Sequence, residues 1–374
     1  MHPVTRFVRI YLVPGAVFEA LIVGGGYGTG REIIQYFTRF GVAGGLLGLL
    51  VATACMSAVL CMTFELGRAF RIYEYHGLIS RLVGPAALAF EIFVLVDLLV
   101  VLAITGAAAG NILAATFGAP LWLGVLLMLI IVSLLIYFGR EIVIRVLSLW
   151  SLLLLAVFMA YFILVLRQRL GLLSVVWHQP GAVQAGWFQG GLQYALYNII
   201  AGPLMLYATR DIETRKQALI SGTLAGVFAM SLALLFHVTF STAYPAILTE
   251  SLPLYTMIKG LGVPVLMSAY VIVLCGTIIK TSAGVVQGVA ERLDVWFVRA
   301  RGRAPSRWSH AGLAVVAMGL SAGLSSFGLV TLVARGYGTL AWGFLLIYVI
   351  PLFTVGPWLL LKERKTGGRL ESRA

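Results

Sequence analysis

Asp97, Glu19 and Lys280 each stand inside a long apolar stretch, and a glycine run interrupts the stretch that holds Glu19. Residues 17–37 read VFEALIVGGGYGTGREIIQYF, with Gly24, Gly25, Gly26, Gly28 and Gly30 in an otherwise helical apolar segment. Ionisable groups in hydrocarbon are costly and default to substrate, ion or proton handling. An open backbone N–H or C=O in lipid costs several kcal/mol, so non-helical chain is tolerated there only beside protein or a polar cavity. Glycine also lets a ligand approach the main chain closely. The run therefore points to a binding cavity. The competing explanation, close helix packing through small residues, is preferred for Gly41, Gly44, Gly45 and Gly48.

These residues matter only if the segments cross a membrane, and the composition says that they do. The 374 residues are 60% hydrophobic and 11% charged, against about 25% charged in a soluble domain. Apolar runs such as LVDLLVVLAITGAAAGNILAATF and LWSLLLLAVFMAYFILVL recur, and runs of about 20 residues read as transmembrane helices. A β-barrel would show short alternating segments instead. The net charge of +13 sits in short connections between apolar runs, which points to a lipid bilayer and away from nucleic acid. Cys55, Cys61 and Cys275 lie inside apolar helices, with no disulfide or metal spacing. The first apolar run lacks a cleavage site and reads as a helix, not a signal peptide.

Ten spans are expected, at 9–39 (broken), 41–67, 82–116, 119–138, 140–166, 187–208 (broken), 214–244, 263–297, 308–325 and 327–361. With both termini on the cytoplasmic side, most of the 27 Lys and Arg fall inside. They are Arg6 and Arg9, Arg68, Arg71 and Arg81, Arg140 and Arg145, Arg210, Arg215 and Lys216, the Arg292–Arg307 cluster and the basic tail at 362–374. Arg31, Arg39, Arg167, Arg169 and Lys259 fall outside. The expected location is the plasma (inner) membrane. The connections 167–186 and 245–262 are expected to lie on the outer surface as short helices or lids, and the tail is expected to be flexible.

A second break is expected in LYNIIAGPLML, residues 196–206, where Pro203 removes a donor beside Asn198 and Gly202. Span 327–361 is too long for one straight crossing and is expected to bend at RGYGTLAWG. Breaks five spans apart fit a five-plus-five inverted repeat, 9–166 and 187–361, in one all-α polytopic membrane domain. Half-helix ends would then meet at a shared midplane site.

GGGYGTGREIIQYFTRFG, residues 24–41, resembles the first-helix signature of the YkvI-like amino-acid permeases of the amino acid–polyamine–organocation superfamily. The resemblance implies a LeuT-type fold. It implies a substrate site at the broken helices, with Gly24, Gly25, Gly26, Tyr27, Gly28, Thr29, Asp97, Tyr197, Asn198 and Gly202 as candidate binding residues. In sodium-coupled members, hydroxyls of helix 8 and carbonyls of the helix 1 break hold a sodium ion. The resemblance carries that role to Thr281 and Ser282, with carbonyls near Ile22 and Gly25. Lys280 departs from that pattern, since an ammonium there would repel sodium.

Lys280 is expected to reach Glu19 in the inner half of helix 1. The pair would either couple transport to protons or make it ion-independent; a structural tie between helices 1 and 8 is the alternative. At about 100° per residue, Val101, Thr105, Ala108 and Asn111 share the face of Asp97. That residue reads equally as a binding group or a satisfied structural one. Arg31, Glu32 and Arg335 are candidates for an outer gate, with a Glu32–Arg335 ion pair. Glu65 and Arg68 form an ordinary i,i+3 pair.

The function that follows is secondary transport of a small zwitterion, an amino acid or similar, with H+ or Na+ as the coupling ion. A sensor built on a transporter fold would have the same sequence features. A channel fits poorly, because GYG lacks the flanks of a filter loop. Hydrolase, metalloprotease, dinucleotide and P-loop fingerprints are missing, so no enzyme, cofactor or metal is expected. The oligomeric state is not legible.

Overall fold

A computed structural model describes residues 3–138, 140–178, 183–301 and 306–371. The described residues are helices joined by short turns. α1 covers 3–22, with a π-helical turn at Val8–Leu12. α2 is the single turn Gly25–Gly28 and α3 is Arg31–Tyr36. Then come α4, Gly41–Phe70; α5, Tyr75–Val83; α6, Ala87–Phe117; α7, Leu121–Phe138; and α8, Arg140–His178. α9 is Trp187–Asn198, α10 Ala201–Leu204, α11 Arg215–Ser241 and α12 Pro253–Lys259. α13 is Pro264–Arg301, α14 Arg307–Ser325, and α15 covers 329–371.

Seven helices among the described residues are long and apolar enough to cross a membrane: Arg31–Phe70, Tyr75–Phe117, Leu121–Phe138, Leu152–Arg169, Arg215–Ser241, Pro264–Ala290 and Leu329–Lys362. The remaining expected passages are the two interrupted segments and Arg307–Ser325. The outer faces of α7 and α8 carry exposed Leu121, Trp122, Leu126, Ile130, Leu134, Leu152 and Ile163. In a protein of this composition that is a lipid-facing surface. The chain is an integral membrane protein.

Lipid tails are as apolar as leucine, so helices associate through close packing at small residues. α4 is the clearest case. A Cβ on Gly191 of α9 would overlap the Gly48 carbonyl, and one on Gly222 of α11 would lie 2.5 Å from Cys61 N. Gly226 approaches Ser57 in the same way. His237 of α11 is fully buried over Gly45, between Thr38 Oγ1 at 3.1 Å and the Val42 carbonyl at 3.0 Å. Gly124 on α7 and Gly110 on α6 give those two helices a similar backbone approach.

Several local expectations are corrected. Residues 167–178, expected in an outer loop, continue α8. Residues 362–371, expected as a flexible tail, continue α15. The last helix, expected to bend at RGYGTLAWG, runs on through it with a local irregularity there: residues Leu332–Tyr337 widen into a π-helical turn, with a second at Leu345–Val349. The connection 245–262 does contain short helices, Ala246–Thr249 and α12. Glu65 and Arg68 pair at 2.7 Å as expected.

Candidate functional site

The chain leaves helical geometry twice within the glycine run. Val23 and Gly24 separate α1 from α2, and Gly30, at φ +81°, separates α2 from α3. That left-handed φ suits glycine, and a Cβ there would also strike Phe240. The freed backbone groups find partners on neighbouring elements. Gly25 N–H donates to Thr281 Oγ1 at 3.0 Å, and Tyr270 O–H donates to the Gly28 carbonyl at 3.0 Å. Leu254 N–H donates to the Thr29 carbonyl at 3.1 Å. Thr29 Oγ1 donates to the Gly26 carbonyl at 2.7 Å and accepts from Arg31 N–H at 3.2 Å. This is how non-helical chain survives at membrane depth. The second break falls at Ile199–Ile200, upstream of Pro203, which lies inside α10.

Between the two breaks lies a cavity of about 110 Å³. Gly24, Gly25 and Gly26 line it from the first break, and Tyr197, Asn198, Ile200 and Ala201 from the second. Glu32, Asp97, Val101, Thr281 and Tyr337 complete the wall, with Leu21 and Ile22 at the end of α1. Leu21, at the α1 end of the lining, is 47% exposed.

Its polar centre is the carboxylate pair. Glu32 is 3% exposed and Asp97 8%. Tyr197 O–H donates to Glu32 Oε2 at 2.5 Å. Glu32 Oε1 lies against the bare Cα of Gly26, where a Cβ would come within 2.8 Å of it. The Tyr197 and Tyr337 rings stack at 4.2 Å with planes 4° apart. Tyr36 leans on Tyr197 at 5.4 Å and donates to the Val333 carbonyl at 2.8 Å. Beyond Tyr36 is a second cavity of about 260 Å³, lined by Gln35, Arg39, Gln189 and Gln193 among others. The Tyr36–Tyr197 contact is the wall between the two cavities.

Of the residues expected from sequence, Gly24, Gly25, Gly26, Asp97, Tyr197 and Asn198 line the cavity, and so do Glu32 and Thr281. The others do not. Tyr27 is fully buried against Phe236. Gly28 and Thr29 serve the backbone contacts just described, and Gly202 faces Leu60. The buried Arg31 guanidinium donates to the Leu248 and Glu250 carbonyls at 2.8 and 3.0 Å and holds that loop against α3. The Glu32–Arg335 pair is absent, because Arg335 is exposed on the far side of α15 while Glu32 points inward. Glu19 and Lys280 are both half-buried, and neither lines the cavity. Ser282 turns away from Thr281 and donates to Thr105 Oγ1 at 2.8 Å and the Ile278 carbonyl at 3.0 Å. Tyr337, Leu21, Ile200 and Ala201 were not anticipated as site residues; the repeat of Gly26–Thr29 in Gly336–Thr339 was the one available signal for Tyr337. Among the described residues no cluster of metal-ligand type is present.

No family model matches the sequence, and no curated protein matches it. Solved structures do match the fold. A manganese transporter of Eremococcus coleocola, in complex with an aromatic bis-isothiourea substituted compound, is similar over 94% of this chain and 80% of its own, at 13% identity and TM-score 0.59. A substrate-bound, outward-open Na+-coupled sialic acid symporter is similar over 92% and 78%, at 14% identity and TM-score 0.57. MhsT in complex with L-phenylalanine is similar over 94% and 97%, at 16% identity and TM-score 0.56. The chain has the LeuT-type fold of these transporters.

Proposed function

We propose that the chain is a secondary active transporter of a small solute bearing an amine, an amino acid or similar, that works by alternating access. The observation that carries this reading is the cavity held between two broken helices and walled by buried Glu32 and Asp97. Broken helices around a midplane site are what alternating-access transporters of this fold use. The fold neighbours, a manganese transporter, a sialic acid symporter and MhsT with bound L-phenylalanine, agree with it, as does the first-helix resemblance to YkvI-like permeases. A ten-span, five-plus-five arrangement accommodates the seven long helices, the two interrupted passages and Arg307–Ser325.

Gly24, Gly25, Gly26, Asp97, Tyr197 and Asn198 are the proposed substrate contacts, joined by Glu32 and Tyr337. We read the cavity as opening at the α1 end, where Leu21 is exposed, and as closed at the other by Tyr36, Tyr197 and Tyr337. Arg6 and Glu213 pair at 2.6 Å, which sets the N-terminus beside the start of α11. With the basic connections facing the cytoplasm, this is an inward-facing arrangement in the plasma membrane. Coupling to protons, or none, is favoured over sodium. Thr281 and Ser282 hydroxyls engage different partners, Gly25 N–H and Thr105 Oγ1.

The test is uptake by proteoliposomes of radiolabelled amino acids and amines, with sodium, with choline, and with an imposed pH gradient. Saturable accumulation that ignores sodium is expected. Binding with no flux for any compound would replace the transporter with a sensor.

A further inference from the structure

We infer that the end of α15 is a docking site for anionic phospholipid: a stripe of Lys362, Lys365 and Arg369 below Trp358 that takes headgroup phosphates of the inner leaflet. Docking of this kind uses the orientation given above, with the basic connections at the cytoplasm, and no part of the substrate reading.

From Ile350 to Glu371 the last helix is α-helical, so counting at about 100° per residue keeps phase. Its protein side is fixed by Leu352, which is fully buried, and by Gly356, where a Cβ would meet Leu66 at 3.1 Å. Trp358 and Leu361 are 58% and 59% exposed on the other side, the face that lipid covers. Lys362, Lys365 and Arg369 all fall within about 40° of Trp358 around the helix axis. The Lys362 ammonium lies 5.2 Å from the centre of the Trp358 ring, a cation on a π face. Glu363 stands on the protein side, in the row of Leu352 and Gly356, and Glu371 is off the stripe as well.

The charges are therefore sorted by side, cations toward lipid and the nearest acid toward protein. A positive-inside bias needs only a count of Lys and Arg in a connection; it does not need them aligned on the lipid-facing side. The depth agrees with the sorting. Tryptophan belongs at headgroup level, and Lys362 and Lys365 follow Trp358 by about 6 and 10 Å along the axis. That places the ammonium groups in and just beyond the headgroup layer. Gly367 and Gly368 make this end a poor helix former in water. An anionic surface alongside supplies the support that the local sequence lacks, because each Lys or Arg near such a leaflet is attracted to it.

The experiment uses the full-length protein in maltoside micelles, titrated with dioleoyl phosphatidylglycerol, with dioleoyl phosphatidylcholine and with a polyuridine oligonucleotide. Bound lipid is counted by native mass spectrometry, and stability is read as melting temperature. Wild type is compared with two triple variants of equal charge. One is Lys362→Gln with Lys365→Gln and Arg369→Gln. The other is Arg210→Gln with Arg215→Gln and Lys216→Gln, at exposed residues of another basic connection. Wild type is expected to bind phosphatidylglycerol at least tenfold more tightly than phosphatidylcholine. The stripe variant should lose at least tenfold of that affinity and the matched variant should keep it. High salt, about 0.5 M, should shrink the preference. An unchanged ligand-free melting temperature of the stripe variant shows that it folds. Equal losses in the two variants would overturn the inference in favour of net charge alone. Equal affinity of wild type for the two lipids would overturn it whatever the variants do. Tighter binding of polyuridine than of phosphatidylglycerol, lost with the stripe, would overturn it in favour of a nucleic acid.

Discussion

The Tyr197 hydroxyl donates to Glu32 Oε2 at 2.5 Å and so joins the two broken segments across the cavity. Glu32 lies on α3, just after the first break; Tyr197 lies on α9, just before the second. A bond between the two interrupted helices, made at the cavity wall, ties the geometry of one break to that of the other.

Removing that donor tests the link. Tyr197→Phe leaves the buried Glu32 oxygen without its partner, at a cost of about 1–3 kcal/mol. Glu32→Gln alone and the double variant complete a cycle. The expected coupling is about 1–3 kcal/mol by chemical denaturation in detergent. Additive effects would show that the two breaks are energetically independent.

Gly26 is the tightest position facing the carboxylates. A methyl group there would sit 2.8 Å from Glu32 Oε1 and 2.9 Å from Ile104 Cγ2. Gly26→Ala is expected to abolish ligand binding, because Glu32 must leave its position. Gly284→Ala, where nothing lies within 4 Å, should bind as wild type does. Thermal-shift titration of the two variants side by side gives the comparison.

Thr281 separates a structural hydroxyl from an ion ligand. Its Oγ1 accepts from Gly25 N–H, so Thr281→Val should lower stability by about 1 kcal/mol in sodium and in choline alike. A loss confined to sodium would restore the sodium site that the first-helix resemblance implies.

The α4–α9 crossing should be intolerant of any side chain. Gly191→Ala drives a Cβ onto the Gly48 carbonyl, a backbone atom that cannot rotate away. Overpacking of this kind costs about 1–3 kcal/mol or more. Arg335→Gln, on an exposed side chain with no Glu32 partner, should leave stability and binding unchanged. Melting temperatures of the two variants check both statements.

The long helices were legible because apolar runs of membrane length admit one reading, and the first break because five close glycines cannot sustain a helix in lipid. Asp97 was placed correctly because α6 is regular, so counting along it keeps phase. The failures fall where phase is lost. Two interruptions, at Val23–Gly24 and at Gly30, rotate α3 away from the face that α1 would predict. Glu32 therefore moves into the cavity and Tyr27 leaves it. The π-helical turn at Leu332–Tyr337 does the same in α15, presenting Tyr337 to Tyr197 and Arg335 outward. The extension of α8 through Arg167 and Arg169 was hidden because charges at a helix end look like a loop in sequence.

The glycines of α9 and α11 that meet α4 have a meaning for ancestry. At Gly191, Gly222 and Gly226 a Cβ would come within 3.0 Å of main-chain atoms of α4, so another residue type can stand there only if two helices move apart. Cavity residues can drift as substrates change, but these positions cannot follow. Distant descendants of the same ancestor should therefore be recognisable by this spaced glycine pattern long after the rest of the sequence, binding residues included, has diverged.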